Sequence, residues 1–190
     1  MGTYRSMAFG LALVATAVPA IAQKSASATV APAVERSGQS DFDWEFGTWT
    51  TKVRVLRNPM SGAAPNWAEY QGTSVVRPLL GGRSNLVELA VEGPAGKIEG
   101  VALRLYNPQA RQWGIHYASL RAGMPTPPVY GAFNGNRGVF YGQDSVDGRA
   151  VLVRFVITLT SPNEARFEQA YSSDGGASWE MNWIAVDTKR

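Results

Sequence analysis

The sequence contains no cysteine and only one histidine among its 190 residues. Without cysteine the chain cannot form a disulfide bond, a thiolate metal site or a cysteine nucleophile. With His116 as its single imidazole, it also cannot build a metal site that needs two histidines. The net charge of +3 is small and the charges are dispersed, so nucleic acid is not expected as a partner. These shortages exclude disulfide scaffolds, thiolate metal sites and metal sites that need two histidines.

Long apolar runs are scarce, and the main one lies at the start of the chain. Residues 7–18 are apolar, Arg5 precedes them, and Ala20-Ile21-Ala22 follows. A basic start, an apolar stretch of about 12 residues and small residues at its end predict a secretory signal peptide over residues 1–22. The stretch is shorter than the roughly 20 residues of a membrane span. We therefore expect a periplasmic or secreted protein with no integral membrane association after cleavage.

The mature chain begins with a segment of low complexity. Residues 23–40 are small and polar and show no apolar period, so they predict a flexible leader. The remaining residues, 41–190, are enough for one domain and few for two.

Glycine, proline and aromatic residues are plentiful, with 20 Gly, 11 Pro, six Trp, seven Tyr and seven Phe. Apolar and polar residues alternate from Trp49 onward, as Trp49, Thr51, Val53 and Val55 show, which is the period of a half-buried strand. Turn residues such as Asn134-Gly135-Asn136 separate the runs. About ten strands are predicted, over residues 49–55, 67–79, 85–91, 98–106, 112–120, 129–133, 138–143, 150–159, 165–172 and 178–186.

The short connections determine the expected fold class. Strands joined by tight turns pair antiparallel, because parallel pairs need long crossovers. A meander of this many strands loses its exposed edges by closing into a barrel. The sequence thus predicts an all-β protein, an antiparallel barrel of about ten strands. A two-sheet sandwich is the alternative.

Two motifs carry a resemblance to a known group of barrels. Phe42-Asp-Trp-Glu-Phe-Gly47-Thr-Trp49 places Gly-x-Trp at the start of the first strand, and Ser172-Ser-Asp-Gly-Gly-Ala-Ser-Trp179 precedes the last one. The sequence resembles the calycins (lipocalins, fatty-acid-binding proteins and nitrobindin-like barrels), in particular secreted bacterial lipocalin-like domains of unknown function. The resemblance implies a barrel whose closed end is plugged by Trp49, and it implies no established activity.

The resemblance also bears on cofactors. In nitrobindins a histidine late in the chain holds haem, and this sequence has no histidine after His116. We therefore expect no haem, and the sequence predicts no other cofactor and no metal site.

The candidate site residues follow from the phase of the strands. On the strand over 112–120, Trp113 and Tyr117 share the face taken as inward, and His116 lies on the other face. A phase inverted by one residue would instead make His116 the only cavity group that titrates near neutrality, and so a candidate general base.

A second set of candidates lies on later strands. Arg154, on a strand that is apolar on both faces, is a candidate anchor for a polar or anionic ligand group, and Glu168 is a candidate partner in the same site. Tyr141 is a candidate hydroxyl donor. Arg104 is a weaker candidate, because its neighbours Leu103 and Leu105 look like the core face. The predicted ligand-binding residues are Trp113, Tyr117, Tyr141, Arg154 and Glu168.

Three functions remain open at this point. The first is an exported carrier or sensor for a small, largely apolar molecule, with an aromatic-lined cavity. The second is a barrel enzyme of isomerase, cyclase or lyase type that uses His116 or Tyr117. The third is a structural domain with a filled interior. The sequence does not indicate the oligomeric state.

Overall fold

A computed structural model describes residues 38–190, so the predicted signal peptide (1–22) and the leader up to residue 37 lie outside the described residues. Two short 3₁₀ helices, Gly38–Ser40 and Asp43–Glu45, precede the first strand, and a third, Leu80–Gly82, joins the second and third strands. The strands of this region are β1 (Gly47–Leu56), β2 (Trp67–Leu79), β3 (Ser84–Gly93), β4 (Gly96–Asn107), β5 (Gln112–Ser119), β6 (Met124–Pro125), β7 (Val129–Asn134), β8 (Arg137–Val146), β9 (Arg149–Ser161), β10 (Glu164–Ser172) and β11 (Glu180–Lys189).

The strands form a closed antiparallel barrel. Neighbours pair in the order β4-β3-β2-β1-β11-β10-β9-β8-β7-β5, and the pairing of β4 with β5 closes the ring of ten. The β1–β11 pairing brings the two ends of the domain together, as in Trp49 opposite Lys189. The predicted barrel of about ten strands is confirmed.

One part of the wall is interrupted. Strand β5 pairs with the two-residue strand β6 at Ala118 and Ser119, and with β7 at Trp113, Gly114 and Ile115. Pro127 and Pro128 lie between β6 and β7, and proline has no N–H with which to continue a ladder. Strands β6 and β7 are therefore two pieces of one broken strand.

Side chains along β1 alternate between the barrel interior and the solvent. Trp49, Thr51 and Val53 are buried, whereas Thr50 and Lys52 are exposed. This is the phase that the alternation predicts.

The barrel is closed at one end by aromatic packing. Phe42 lies edge-on to Trp113, with ring centroids 5.0 Å apart, and both are fully buried. Beside them Trp49 packs against Trp44 and Val76, and its indole N–H donates to the carbonyl of Glu45 at 2.6 Å. The plugging role that the resemblance implies for Trp49 agrees with this position.

The folded domain starts earlier than Asp41. The amide of Gly38 donates to the hydroxyl of Tyr106 at 3.0 Å, and the indole of Trp113 donates to the carbonyl of Gly38 at 2.9 Å. Residues 38–40, predicted as the end of the leader, are thus attached to the plug. Among residues 38–190 no helix is long and apolar enough to span a bilayer.

Candidate functional site: a cavity inside the barrel

A cavity of about 430 Å³ lies inside the barrel, between the aromatic plug and the opposite rim. Its wall is mainly aliphatic and aromatic, and polar groups lie at its floor and near its rim. The lining residues include Trp44, Glu45, Thr51, Ser74, Ala102, Arg104, Tyr117, Asp144, Phe155, Phe167, Gln169, Tyr171, Asn182, Trp183 and Asp187.

An ion pair forms part of the floor. Arg104, on β4, binds Glu45 through both terminal nitrogens, with Nη1 donating to Oε2 and Nη2 donating to Oε1 at 3.2 Å. The side chains of the two residues are 8% and 15% exposed. The guanidinium also lies over the ring of Phe42, 4.1 Å from its centroid. The ion pair therefore connects the C-terminal part of β4 to the 3₁₀ helix Asp43–Glu45, beside the aromatic plug.

Asp187 lies beside this pair, near the end of β11. Thr51 Oγ1 donates to Asp187 Oδ1 at 2.5 Å, and the hydroxyls of Thr51 and Ser74 are 2.8 Å apart. Burial, together with the charge of the nearby Glu45 carboxylate, raises the pKa of Asp187 to about 6. The hydrogen bond from Thr51 and the charge of Arg104 act in the opposite direction but do not cancel the effect of burial.

A second polar group of residues lies nearer the rim. The Gln169 amide donates to the hydroxyl of Tyr171 at 3.1 Å. Burial and the charge of Asp144 raise the pKa of Tyr171, so its hydroxyl stays protonated. Asn182 is 5% exposed, and its Oδ1 has no hydrogen-bond partner. Because Asn182 lines the cavity, this acceptor is available to a guest.

Of the predicted ligand-binding residues, Tyr117 lines the cavity. Its ring lies over Gly100, where a Cβ atom would be 2.4 Å from the Tyr117 hydroxyl oxygen. Burial raises the pKa of Tyr117, so it too stays protonated. Trp113 is inward but belongs to the plug, and it does not line the cavity.

Arg154, Tyr141 and Glu168 lie on the outside of the barrel, which corrects their predicted place in the interior. Val153 and Phe155 line the cavity, so Arg154 between them points away from it. Its guanidinium lies over the ring of Trp179, with Cζ 4.5 Å from the ring centroid.

Tyr141 and Glu168 have outer contacts of their own. Tyr141 pairs with Arg154 in register and is 53% exposed. Glu168 accepts a hydrogen bond from Arg166 at 2.9 Å and does not line the cavity. Strand β9 is apolar on both faces, which is why alternation did not fix the phase of Arg154.

His116 also lies on the outer face. Its ring is edge-on to that of Tyr130, with centroids 6.3 Å apart, and it borders a surface groove rather than the cavity. Of the two residues of the predicted enzymatic alternative, His116 therefore faces away from the cavity and Tyr117 faces into it.

Asp187 and Glu45 were not among the predicted site residues, and Arg104 was predicted only as a weaker candidate. Arg104 shares the inner face of β4 with Gly100 and Ala102, whereas Leu105 is 43% exposed, so the apolar leucines mark the outer face. The small residues opposite Tyr117 were the signal that could have identified the cavity side. Among residues 38–190 no cluster of His, Asp and Glu has a geometry that could hold a metal ion.

The same architecture occurs in a solved structure of an S-type phycobiliprotein lyase, CPES, from Guillardia theta. The two chains align with a TM-score of 0.57 at 10% identity, over 82% of this chain and 94% of the lyase. The fold is a lipocalin-like barrel. A redesigned β barrel aligns with a TM-score of 0.40 at 14% identity, over 82% of this chain and 96% of that one. No family model and no curated protein sequence matches the chain.

Proposed function

We propose that this protein is a carrier or sensor that holds one small, largely apolar molecule inside its barrel. The observation that carries the proposal is the cavity of about 430 Å³, with apolar walls and a few polar groups at defined positions. Sites for small molecules have this composition, and their volumes run from roughly 300 to 1,000 Å³. A structural domain would fill such a space, because packed interiors contain few voids larger than a water molecule.

The fold supports the proposal without specifying the guest. The phycobiliprotein lyase shares the barrel at 10% identity, and at that distance its activity does not carry over. Barrels of this size have room for one ligand when the inward side chains do not fill the interior.

Export is a further part of the proposal. The apolar run at residues 7–18 and the small residues before Gln23 support a cleaved signal peptide and a periplasmic or secreted carrier. N-terminal sequencing of the protein recovered from the periplasm or the medium tests it. A mature chain that begins at Gln23 supports export, and an intact Met1 in the cytoplasm contradicts it.

The binding proposal is tested with N-phenyl-1-naphthylamine, a neutral apolar dye that fluoresces in dry cavities. We expect saturable binding to the wild-type protein and its loss in Ala102→Phe, which places a ring in the cavity. The matched control is Ala132→Phe, on an exposed position of β7, which should bind like the wild type.

Circular dichroism shows whether each variant is folded. Undiminished dye binding by a folded Ala102→Phe variant would overturn the proposal. Mass spectrometry of small molecules that co-purify with the protein supplies a second, independent measurement.

A further inference from the structure

Building on the proposed carrier function, we infer that the guest is an amphiphilic amine whose ammonium group lies at the cavity floor against Asp187. The charges and hydrogen-bonding groups inside the barrel carry this inference.

The terminal nitrogens of the inward arginine are already occupied. Arg104 uses both terminal nitrogens on the Glu45 carboxylate and is almost fully buried. The other arginine at the cavity wall, Arg166, is held by Glu168, with Nη2 at 2.8 Å from Oε1. The fork geometry that would bind a carboxylate ligand is therefore used within the protein.

Two cavity carboxylates have no such partner. Within residues 38–190, neither Asp187 nor Asp144 forms an ion pair with a lysine or arginine. Since Glu45 and Arg104 cancel, an ionised Asp187 leaves the floor with one net negative charge. A guest carboxylate would meet Glu45 and Asp187 as like charges, whereas an ammonium would neutralise the floor.

Two polar atoms of the cavity lining have no hydrogen-bond partner: the acceptor Oδ1 of Asn182, near the rim, and the donor Nε of Arg104, at the floor. Asn182 is nine-tenths buried and lines the cavity, and its Oδ1 has no donor. Burying an acceptor without a partner is unfavourable, and a donor on the guest would offset that cost. Asp187 and Asn182 are both acceptors, but Asn182 lies nearer the rim, so it is Asp187 that would receive the ammonium at the floor.

The rest of the cavity wall indicates the chemical character of the uncharged part of the guest. Between floor and rim the lining side chains are aliphatic or aromatic, including Phe155, Phe167 and Trp183. Trp44 lies at the floor, and the face of an indole adds a favourable interaction with a cation. The volume suits an unbranched chain of moderate length with a single charged end.

Competition against N-phenyl-1-naphthylamine at neutral pH tests the inference, with dodecylamine, dodecanol and dodecanoate as matched guests. We expect dodecylamine to compete at least about tenfold better than dodecanol, and dodecanoate to be the weakest of the three. In Asp187→Asn the ratio of amine to alcohol affinity should fall to near one. Asp147→Asn, in the exposed turn between β8 and β9, should keep the wild-type ratio.

The outcomes separate the two proposals. If neither the dye nor any of the three guests binds, the carrier function fails. If dodecanol binds but the amine has no advantage, or if dodecanoate is preferred, only the amine inference is overturned. An amine preference that survives in a folded Asp187→Asn variant and disappears in Asp144→Asn would also overturn it, because the charge would then act at the rim.

Discussion

Thr51 and Asp187 face each other across β1 and β11, and the hydroxyl of Thr51 donates to the carboxylate of Asp187 at 2.5 Å. The hydrogen bond favours the ionised carboxylate, but burial in an apolar cavity disfavours it more strongly. The pKa of Asp187 is therefore raised from 3.8 to about 6. The charges that act on Asp187 are Glu45, from the 3₁₀ helix, and Arg104, from β4.

The raised pKa makes the stability of the barrel depend on pH with a definite sign. In the unfolded chain Asp187 ionises near 3.8, whereas in the folded barrel it does so near 6. Between these values the folded state binds more protons, so the contribution of Asp187 to stability is full below about pH 4 and is lost as the pH rises through about 6. The loss amounts to about 3 kcal/mol at most.

The matching variant is Asp187→Asn, which keeps the shape of the side chain and removes its charge. We expect it to be more stable than the wild type at about pH 7.5, and the difference to vanish near about pH 4. Urea unfolding at a series of pH values measures this. A stability difference that does not change with pH would contradict the assignment.

Removing one member of the buried ion pair should be far more damaging than removing both. Arg104→Met leaves the Glu45 carboxylate buried without a partner, and we expect a loss of about 3–5 kcal/mol. The double variant Glu45→Gln/Arg104→Met removes that charge and should recover most of the loss. Chemical denaturation of the single and double variants gives the coupling between the two sites.

A matched surface pair serves as the reference. Arg77 and Glu88 also form an ion pair, but their side chains are 55% and 46% exposed. Arg77→Met should therefore change stability by less than about 1 kcal/mol. Equal effects of Arg104→Met and Arg77→Met would show that the Glu45 pair is solvated.

Glycine at position 131 is required by close packing of two backbones. A Cβ atom there would lie 1.9 Å from the carbonyl oxygen of Val139 and 2.7 Å from the Cα of Phe140, both in the paired strand β8. Gly131→Ala should destabilise the barrel by about 3 kcal/mol or more, because no flexible side chain can move aside.

The control is Gly114→Ala on the adjoining strand. Its Cβ atom would lie 3.1 Å from the ring of Tyr130, which is about half exposed and can shift outward. We expect a change within about 1 kcal/mol. Thermal unfolding compares the two variants, and a larger loss for Gly114→Ala than for Gly131→Ala would refute the packing argument.

The attachment of the N-terminal segment to the plug is open to direct measurement. Tyr106→Phe removes the acceptor of the Gly38 amide proton but leaves the aromatic packing in place. Hydrogen exchange of that amide should become about tenfold faster. Tyr130→Phe, on the exposed outer face, should leave it unchanged. Unaltered exchange in Tyr106→Phe would mean that this hydrogen bond does not protect the segment.

Strand positions were the most predictable part of this protein. The period of two, together with turn residues such as Gly135 and Gly148, placed ten strands and their closure into a barrel, and the phase of β1 followed from Trp49, Thr51 and Val53. Local alternation is sufficient there because one face is buried and the other is wet.

The site itself was harder to predict, for identifiable physical reasons. A barrel with an internal cavity reverses the usual rule on β4, where Arg104 points inward and Leu105 outward. On β9 both faces are apolar, so alternation did not show whether Arg154 points into the barrel or out of it. Asp187 lies one residue beyond the predicted end of the last strand, and Glu45 reaches the cavity from a 3₁₀ helix, where strand alternation does not apply.

The proline break between β6 and β7 makes one seam of the barrel, the pairing of these two strands with β5, weaker than the other strand pairings. Across this seam the ladder is limited to short stretches on either side of Pro127 and Pro128, and Thr126 and Pro127 themselves line the cavity. We expect amides near the break to exchange with solvent sooner than those of β9 and β10. A guest too wide for the rim would then enter through this side of the barrel, and the aromatic plug would stay in place.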